Sequence, residues 1–138
     1  MNLDLSLLSA SPMEDHEIAE SIGEPAIGRI VEAFYRQVQH DDVIGPMYPQ
    51  DDLQGAADRL TGFLVFRFGG SQRYLAVRGS PRLRMRHAPF TVDQFARDRW
   101  YQLMDRAITE SDIPESAASC MRQFFEHTAT FLINQAAN

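Results

Sequence analysis

The chain has no lysine, one cysteine, one tryptophan and no long apolar run. Without lysine every fixed positive charge is a guanidinium, which by itself assigns no function. The lone Cys120 can close no internal disulfide, and no cysteine cluster offers zinc or iron–sulfur spacing. A reducing, cytoplasmic setting is therefore expected. No window approaches the roughly 18 apolar residues of a spanning helix, so no membrane insertion is expected. The Leu-rich residues 1–10 carry Asp4 and no basic stretch, which does not read as a signal peptide. A net charge of -6 argues against a general nucleic-acid binder, which needs an excess of Lys and Arg to neutralise phosphates. The P-loop, GxGxxG, GxSxG and HExxH motifs are all missing, so phosphate-cradling, nucleophile-elbow and zinc-protease chemistry have no anchor.

What remains is enough for one domain. The 138 residues are 44% hydrophobic, which can fill a core without disulfides. Residues 1–12 read as an N-terminal extension and 13–138 as a single domain. Apolar residues at Ile27, Ile30, Val31, Phe34, Tyr35 and Val38 follow the i, i+3, i+4, i+7 spacing of a half-buried helix, opened by Glu24-Pro25. Gly45-Pro46 and Pro49 break the chain, and Asp51 or Asp52 can cap the next helix, whose stripe runs from Leu53 to Leu64 and which Gly69-Gly70 ends. A short helix over Arg82–His87 stops before Pro89. Thr91 with Gln94, and Asp112 with Glu115, have capping-box spacing. Two further stripes follow, through Val92, Phe95, Trp100, Leu103, Met104, Ala107 and Ile108, and then from Ala117 to Leu132. No stretch alternates with period two. Five or six helices with short joints, all-α, is the reading.

Three features can carry chemistry. His87 ends a short helix, where an unpaired backbone carbonyl can take one ring N–H and leave the other nitrogen for a metal. A lone histidine is nonetheless more often a surface or capping side chain. From Arg59 to Val92 there are seven arginines and no acid, while the rest of the chain holds six arginines against 19 acids. Such an island suits an anionic ligand, or else a solvated face with scattered ion pairs. Tyr35, Tyr48 and Trp100 each join an apolar body to one polar tip and can aim O–H and N–H groups into a dry cavity, or simply pack in a core. His16, His40 and His127 show no ligand spacing, and Cys120 lies on an apolar stripe.

The run Arg78-Gly79-Ser80-Pro81-Arg82-Leu83-Arg84-Met85-Arg86-His87-Ala88-Pro89-Phe90 closely resembles the haem-ligand segment of group II truncated haemoglobins. Phe34-Tyr35, Met47 through Leu53, Gly69-Gly70 and Arg97-Asp98-Arg99-Trp100 match that family's other landmarks in order. The resemblance covers roughly residues 20–135. It implies a truncated globin, a two-over-two helical sandwich around haem b, with His87 as the iron's proximal ligand. By the same resemblance Tyr35, Tyr48 and Trp100 are distal donors to the bound ligand. Ala56 falls where larger globins carry a distal histidine, and Leu60 lies a turn on, over the haem. Phe63, Phe90 and Met104 are the further expected haem contacts, and Arg59 and Arg86 the expected propionate contacts. The chain departs from the family pattern at Phe68, Ser80, Ala96 and Arg99, where a Trp, a His, an acidic residue and a small residue are common.

The function so implied is reversible binding of O2, with CO, NO or peroxide as further ligands, held tightly and released slowly by a polar distal pocket. The alternative is a haem redox enzyme, an NO dioxygenase or peroxidase-like catalyst. With no flavin or nicotinamide motif, that would draw electrons from a separate reductase. Monomer and homodimer are both open.

Overall fold

The computed structural model describes residues 13–74, 79, 82–83, 87 and 90–134. The extension over 1–12 therefore lies outside the described residues, as do residues 84–86 of the expected helix over 82–87. Among the described residues there are five α-helices and no strand. They are α1 (Ile18–Ile22), α2 (Glu24–Val38), α3 (Leu53–Arg67), α4 (Gln94–Glu110) and α5 (Glu115–Phe131), with 3-10 turns at Asp15–Glu17 and Gly45–Met47. None is long and apolar enough to cross a membrane.

The stripe on α2 places Ile27, Ile30, Val31 and Phe34 in full burial. That face is wide enough to meet two partners, and α2 packs on both α3 and α4. α5 packs on α4 and also meets α1 and the first 3-10 turn. Two helix pairs result, α2 with α3 and α4 with α5, joined through α2 and α4. This is the expected two-over-two sandwich of a truncated globin.

Local chemistry sets the joints. Asp52 caps α3 by accepting from the Gly55 N–H at 3.2 Å. After α3 the chain turns at Gly69, whose φ of 88° is glycine territory and where a Cβ would run into the His16 backbone. Phe68 O then accepts from Ala19 N at 3.0 Å, tying the end of α3 to α1.

Two joints differ from the capping boxes read in the sequence. Asp93 caps α4, accepting from Ala96 N at 2.9 Å. Gln94 is already the first helical residue, so Thr91 lies too early to cap, and the Gln94 amide bonds Asp98 instead at 2.7 Å. At α5 the capping position is Pro114, without a side-chain cap, and Asp112 adopts a left-handed φ of 53°. The α4 stripe also differs in one member. Phe95 is 64% exposed and Ala96 is buried, because Phe95 sits half a turn out of phase with Met104.

Candidate functional site

Between the helix pairs lies a cavity of about 330 Å³. Such a volume is ordinary for a site that encloses a small organic group. α3 contributes Ala56, Arg59, Leu60 and Phe63 to its wall, and α2 contributes Tyr35. The segment between α2 and α3 adds Tyr48, α4 adds Trp100, and the chain before α4 adds His87 and Phe90. Nine of the residues singled out in the sequence are thus gathered around one space. Met104 is not among them: it is fully buried in the core, a turn beyond Trp100, where α4 runs against α2. Arg86 lies outside the described residues.

The polar side of the cavity is a linked pair. Trp100 Nε1 donates to the Tyr48 hydroxyl oxygen at 3.1 Å. The indole is donor only, so the phenol must accept, and its own proton stays available for a further partner. The Tyr35 ring stands edge-on to Tyr48, with centroids 5.4 Å apart. Trp100 is packed by Phe34 and Phe125 at 5.5 and 5.6 Å. Burial pushes the Tyr48 phenol up to about 12, against the opposing pull of the Trp100 hydrogen bond. Burial, helped by neighbouring Tyr48 and opposed by Arg59, raises Tyr35 far above the ordinary tyrosine range. Both phenols are therefore protonated donors at neutral pH.

His87 supplies the basic nitrogen. Its Nδ1 lies 2.8 Å from the carbonyl oxygen of Leu83, one helical turn back. A carbonyl can only accept, so Nδ1 carries the proton and Nε2 of the neutral ring keeps its lone pair. The backbone is held too: His87 O accepts from Phe90 N at 2.9 Å and from Asn134 Nδ2 at 3.4 Å. Among the described residues no group of three or more His, Cys, Asp or Glu is placed to hold a bare metal ion. His87 could therefore offer only one ring nitrogen, which would suit a metal already held by other donors.

The arginine island is partly neutralised by acids from elsewhere in the chain. Arg59 pairs with Asp52 at 3.3 Å at the cavity rim, and Arg67 with Asp15 at 2.7 Å. Arg73 and Arg82 are exposed, while Arg78 and Arg84 lie outside the described residues.

Other wall residues were not singled out by the sequence as site residues. Phe124, Phe125, Thr128 and Ala129 of α5 line the cavity, as do Leu132 just after it, Leu83 and Arg97. The signal was present for α5, as an apolar stripe, but it read as core. Arg97 is held by Thr130 Oγ1 at 3.0 Å and Glu126 O at 3.1 Å, so its charge is already engaged.

These residues fit a planar, largely apolar cofactor that carries its own metal. Leu60, Phe63, Phe90 and Phe124 offer apolar contact, Nε2 of His87 a lone pair, and Arg59 a cation at the rim for a carboxylate.

Comparison with known proteins gives a consistent picture. The family model described as bacterial-like globin matches residues 17–134. Group 2 truncated hemoglobin 3-1 of Lotus japonicus is 32% identical over 128 residues, which is 91% of this chain and 76% of that protein. The hemoglobin of the thermophilic phototrophic bacterium Chloroflexus aurantiacus has a similar structure, with a TM-score of 0.83 at 40% identity, over 86% of this chain and 98% of that one. The truncated oxygen-avid haemoglobin of Bacillus subtilis gives a TM-score of 0.81 at 29% identity, over 85% and 98% of the two chains.

Proposed function

Since this chain belongs to the group II truncated haemoglobins, within the bacterial-like globins, we propose that it holds haem b through His87 and binds O2 reversibly and tightly. Globins are haem proteins that take small gaseous ligands, and the finer assignment rests on the cavity. One observation carries it: a histidine with its Nδ1 committed to a backbone carbonyl shares a largely apolar cavity with two protonated phenols and an indole.

A bound haem would supply an iron able to take a diatomic ligand, and His87 would hold it. The protein's part is orientation and solvation. Leu83 O fixes the tautomer and the rotation of the His87 ring, and makes Nε2 a better donor. Tyr48 has its oxygen lone pair engaged by Trp100, so its O–H is turned outward to a ligand, and Tyr35 adds a second O–H nearby. A diatomic ligand such as O2 would accept hydrogen bonds from these two hydroxyls. Each donor in this dry pocket contributes about 1 kcal/mol. Two donors slow release by roughly thirtyfold if the whole gain appears in the off-rate. Arg59 at the rim is placed for a propionate. The oxygen-avid haemoglobin of Bacillus subtilis, of the same fold, accords with tight binding.

The test is a visible spectrum of the purified protein as isolated, reduced, and reduced under CO, followed by stopped-flow release of O2. An imidazole-ligated haem spectrum that is lost in His87→Gly, and an O2 off-rate raised by Tyr48→Phe, are expected. A hemin-reconstituted, desalted sample without a haem band, or a His87→Gly spectrum identical to wild type, overturns the reading.

A further inference from the structure

The hydrogen bond between Trp100 and Tyr48 joins two parts of the chain that have no covalent reason to stay in register. Tyr48 sits in the irregular segment between α2 and α3, and Trp100 is on α4. A second tie between the same two parts lies one residue earlier on α4. Arg99 Nη1 meets Asp41 Oδ1 at 2.6 Å, and the Asp41 side chain is only 6% exposed. Asp42, the neighbouring acid, is almost fully exposed and lies at 3.9 Å, so Asp41 is the working partner.

Asp41 does more than balance charge. Its Oδ2 accepts from Val43 N at 3.0 Å and Ile44 N at 2.9 Å, and its carbonyl accepts from Gly45 N at 3.1 Å. Tyr48 N in turn donates to Gly45 O at 3.1 Å, and Gln50 Nε2 spans Gly45 O and Tyr48 O at 2.8 and 3.0 Å. An unbroken set of hydrogen bonds therefore runs from the Asp41 carboxylate to the backbone of Tyr48. Whatever fixes Asp41 against α4 also fixes Tyr48 against Trp100.

We propose that Arg99 is a positioning residue for the distal pocket: by clamping Asp41 to α4 it holds the Tyr48 hydroxyl in register with the Trp100 indole. A hydrogen bond weakens steeply as its angle opens, so a small drift of the turn is enough to misalign the pair. Removing Arg99 leaves a poorly solvated carboxylate without its counter-charge and frees the turn to shift. The contact is made through one nitrogen, so lysine can restore much of it, whereas alanine cannot.

The consequence for ligand release rests on the proposed haem function, so the experiment reads the clamp and the haem separately. Wild type, Arg99→Ala, Arg99→Lys and a control, Arg122→Ala, are prepared as the haem-loaded, reduced CO form of the full chain. Arg122 makes an equally short pair, 2.6 Å to Asp105, between α5 and α4 and off the cavity wall. The chain has one tryptophan, so the indole N–H gives a single NMR cross-peak that reports its hydrogen bond. The C–O stretching frequency reports donors facing the ligand. In Arg99→Ala both signals move and O2 release quickens about fivefold, roughly the loss of one ordinary hydrogen bond. Arg99→Lys moves both back toward wild type, and Arg122→Ala leaves both in place. Unmoved indole and C–O signals in Arg99→Ala overturn the proposal even if its melting temperature falls, and so do equal shifts in Arg122→Ala. A wild type without haem fails the functional reading alone, and the clamp is then judged on the indole signal.

Discussion

Replacing Trp100 by phenylalanine removes one N–H and keeps an aromatic ring between Phe34 and Phe125, whose centroids lie 5.5 and 5.6 Å from the indole. The perturbation is thus close to the deletion of a single donor. In the structure that donor is spent on the Tyr48 oxygen at 3.1 Å, so its effect on a ligand passes through Tyr48. Without the indole the Tyr48 hydroxyl is free to rotate and to satisfy its oxygen elsewhere, and part of its donation to the ligand is lost. A neutral hydrogen bond of this kind is worth about 1 kcal/mol net, which corresponds to about a fivefold faster O2 release. Because the two side chains act as one unit, their effects should not add. Tyr48→Phe alone removes the terminal donor, and Trp100→Phe on that background should do little more. A double-mutant cycle on stopped-flow O2 off-rates is then non-additive by about 1 kcal/mol. Off-rates for Trp100→Phe within about twofold of wild type, or a cycle additive within about 0.4 kcal/mol, would refute the relay from indole to phenol.

Three further outcomes follow from the charges. Tyr48 is pushed up to about 12 in the folded chain against about 10 unfolded, so the native state keeps a proton that the unfolded state has lost. Its contribution is complete below pH 10 and disappears as pH rises through about 12, so the denaturation midpoint should fall more steeply over that interval in wild type than in Tyr48→Phe. Asp41 shifts the other way. Burial opposes its charge, but hydrogen bonds from Ile44 N–H, Arg99 and Val43 N–H prevail and hold it below the usual carboxylate range. Its stabilisation is present above about pH 4 and is lost as pH falls through the lowered value. Asp41→Asn is therefore expected to be about 2 kcal/mol less stable than wild type by urea titration at pH 7, with the gap closing in acid. Cys120 is pushed up to about 11, first by burial and then by its hydrogen bond to Asp15 at 3.2 Å. At pH 8 the thiol is therefore almost wholly protonated, so alkylation by iodoacetamide should run about tenfold or more slower than for a free cysteine, and faster in Asp15→Asn.

Much of the fold was legible because it is written in short-range spacing. The stripe on α2 follows one helix face over four turns, and proline and glycine mark its neighbours' ends, so the helices and their order could be read directly. Capping was legible to within one residue at α3, where Asp51 or Asp52 could do it. Asp52 lies directly before α3 and caps it, whereas near α4 several polar residues compete, and the winner, Asp93, is decided by where the first helical turn begins. The phase of Phe95 was missed for a related reason. Large apolar residues are assumed to point inward, but a helix face is set by the sum of its contacts, and Ala96 fills the narrow space that Phe95 cannot.

The candidate site divides along the same line. The bond from His87 to Leu83 spans one helical turn, so a helix ending at that histidine already contained it. Tyr48 and Trp100 were legible as polar-tipped aromatics but not as partners, because 52 positions separate them, and the same holds for Asp41 and Arg99 at 58. Periodicity tells which face of α5 turns inward. It does not tell whether that face meets other side chains or an open space, and so Phe124, Thr128 and Leu132 read as part of a packed stripe when they line the cavity. The arginine island shows the converse. A run of like charge in the sequence suggests a single anionic ligand, yet folding brings Asp52 and Asp15 onto Arg59 and Arg67, so local charge in the chain is a poor guide to net charge in the site. Tyr35, Tyr48 and Trp100 were legible in the sequence as one set, but the bond that links two of them appears only with the distances. What makes them one is that a donor-only indole meets a phenol whose remaining proton then has to find a partner of its own.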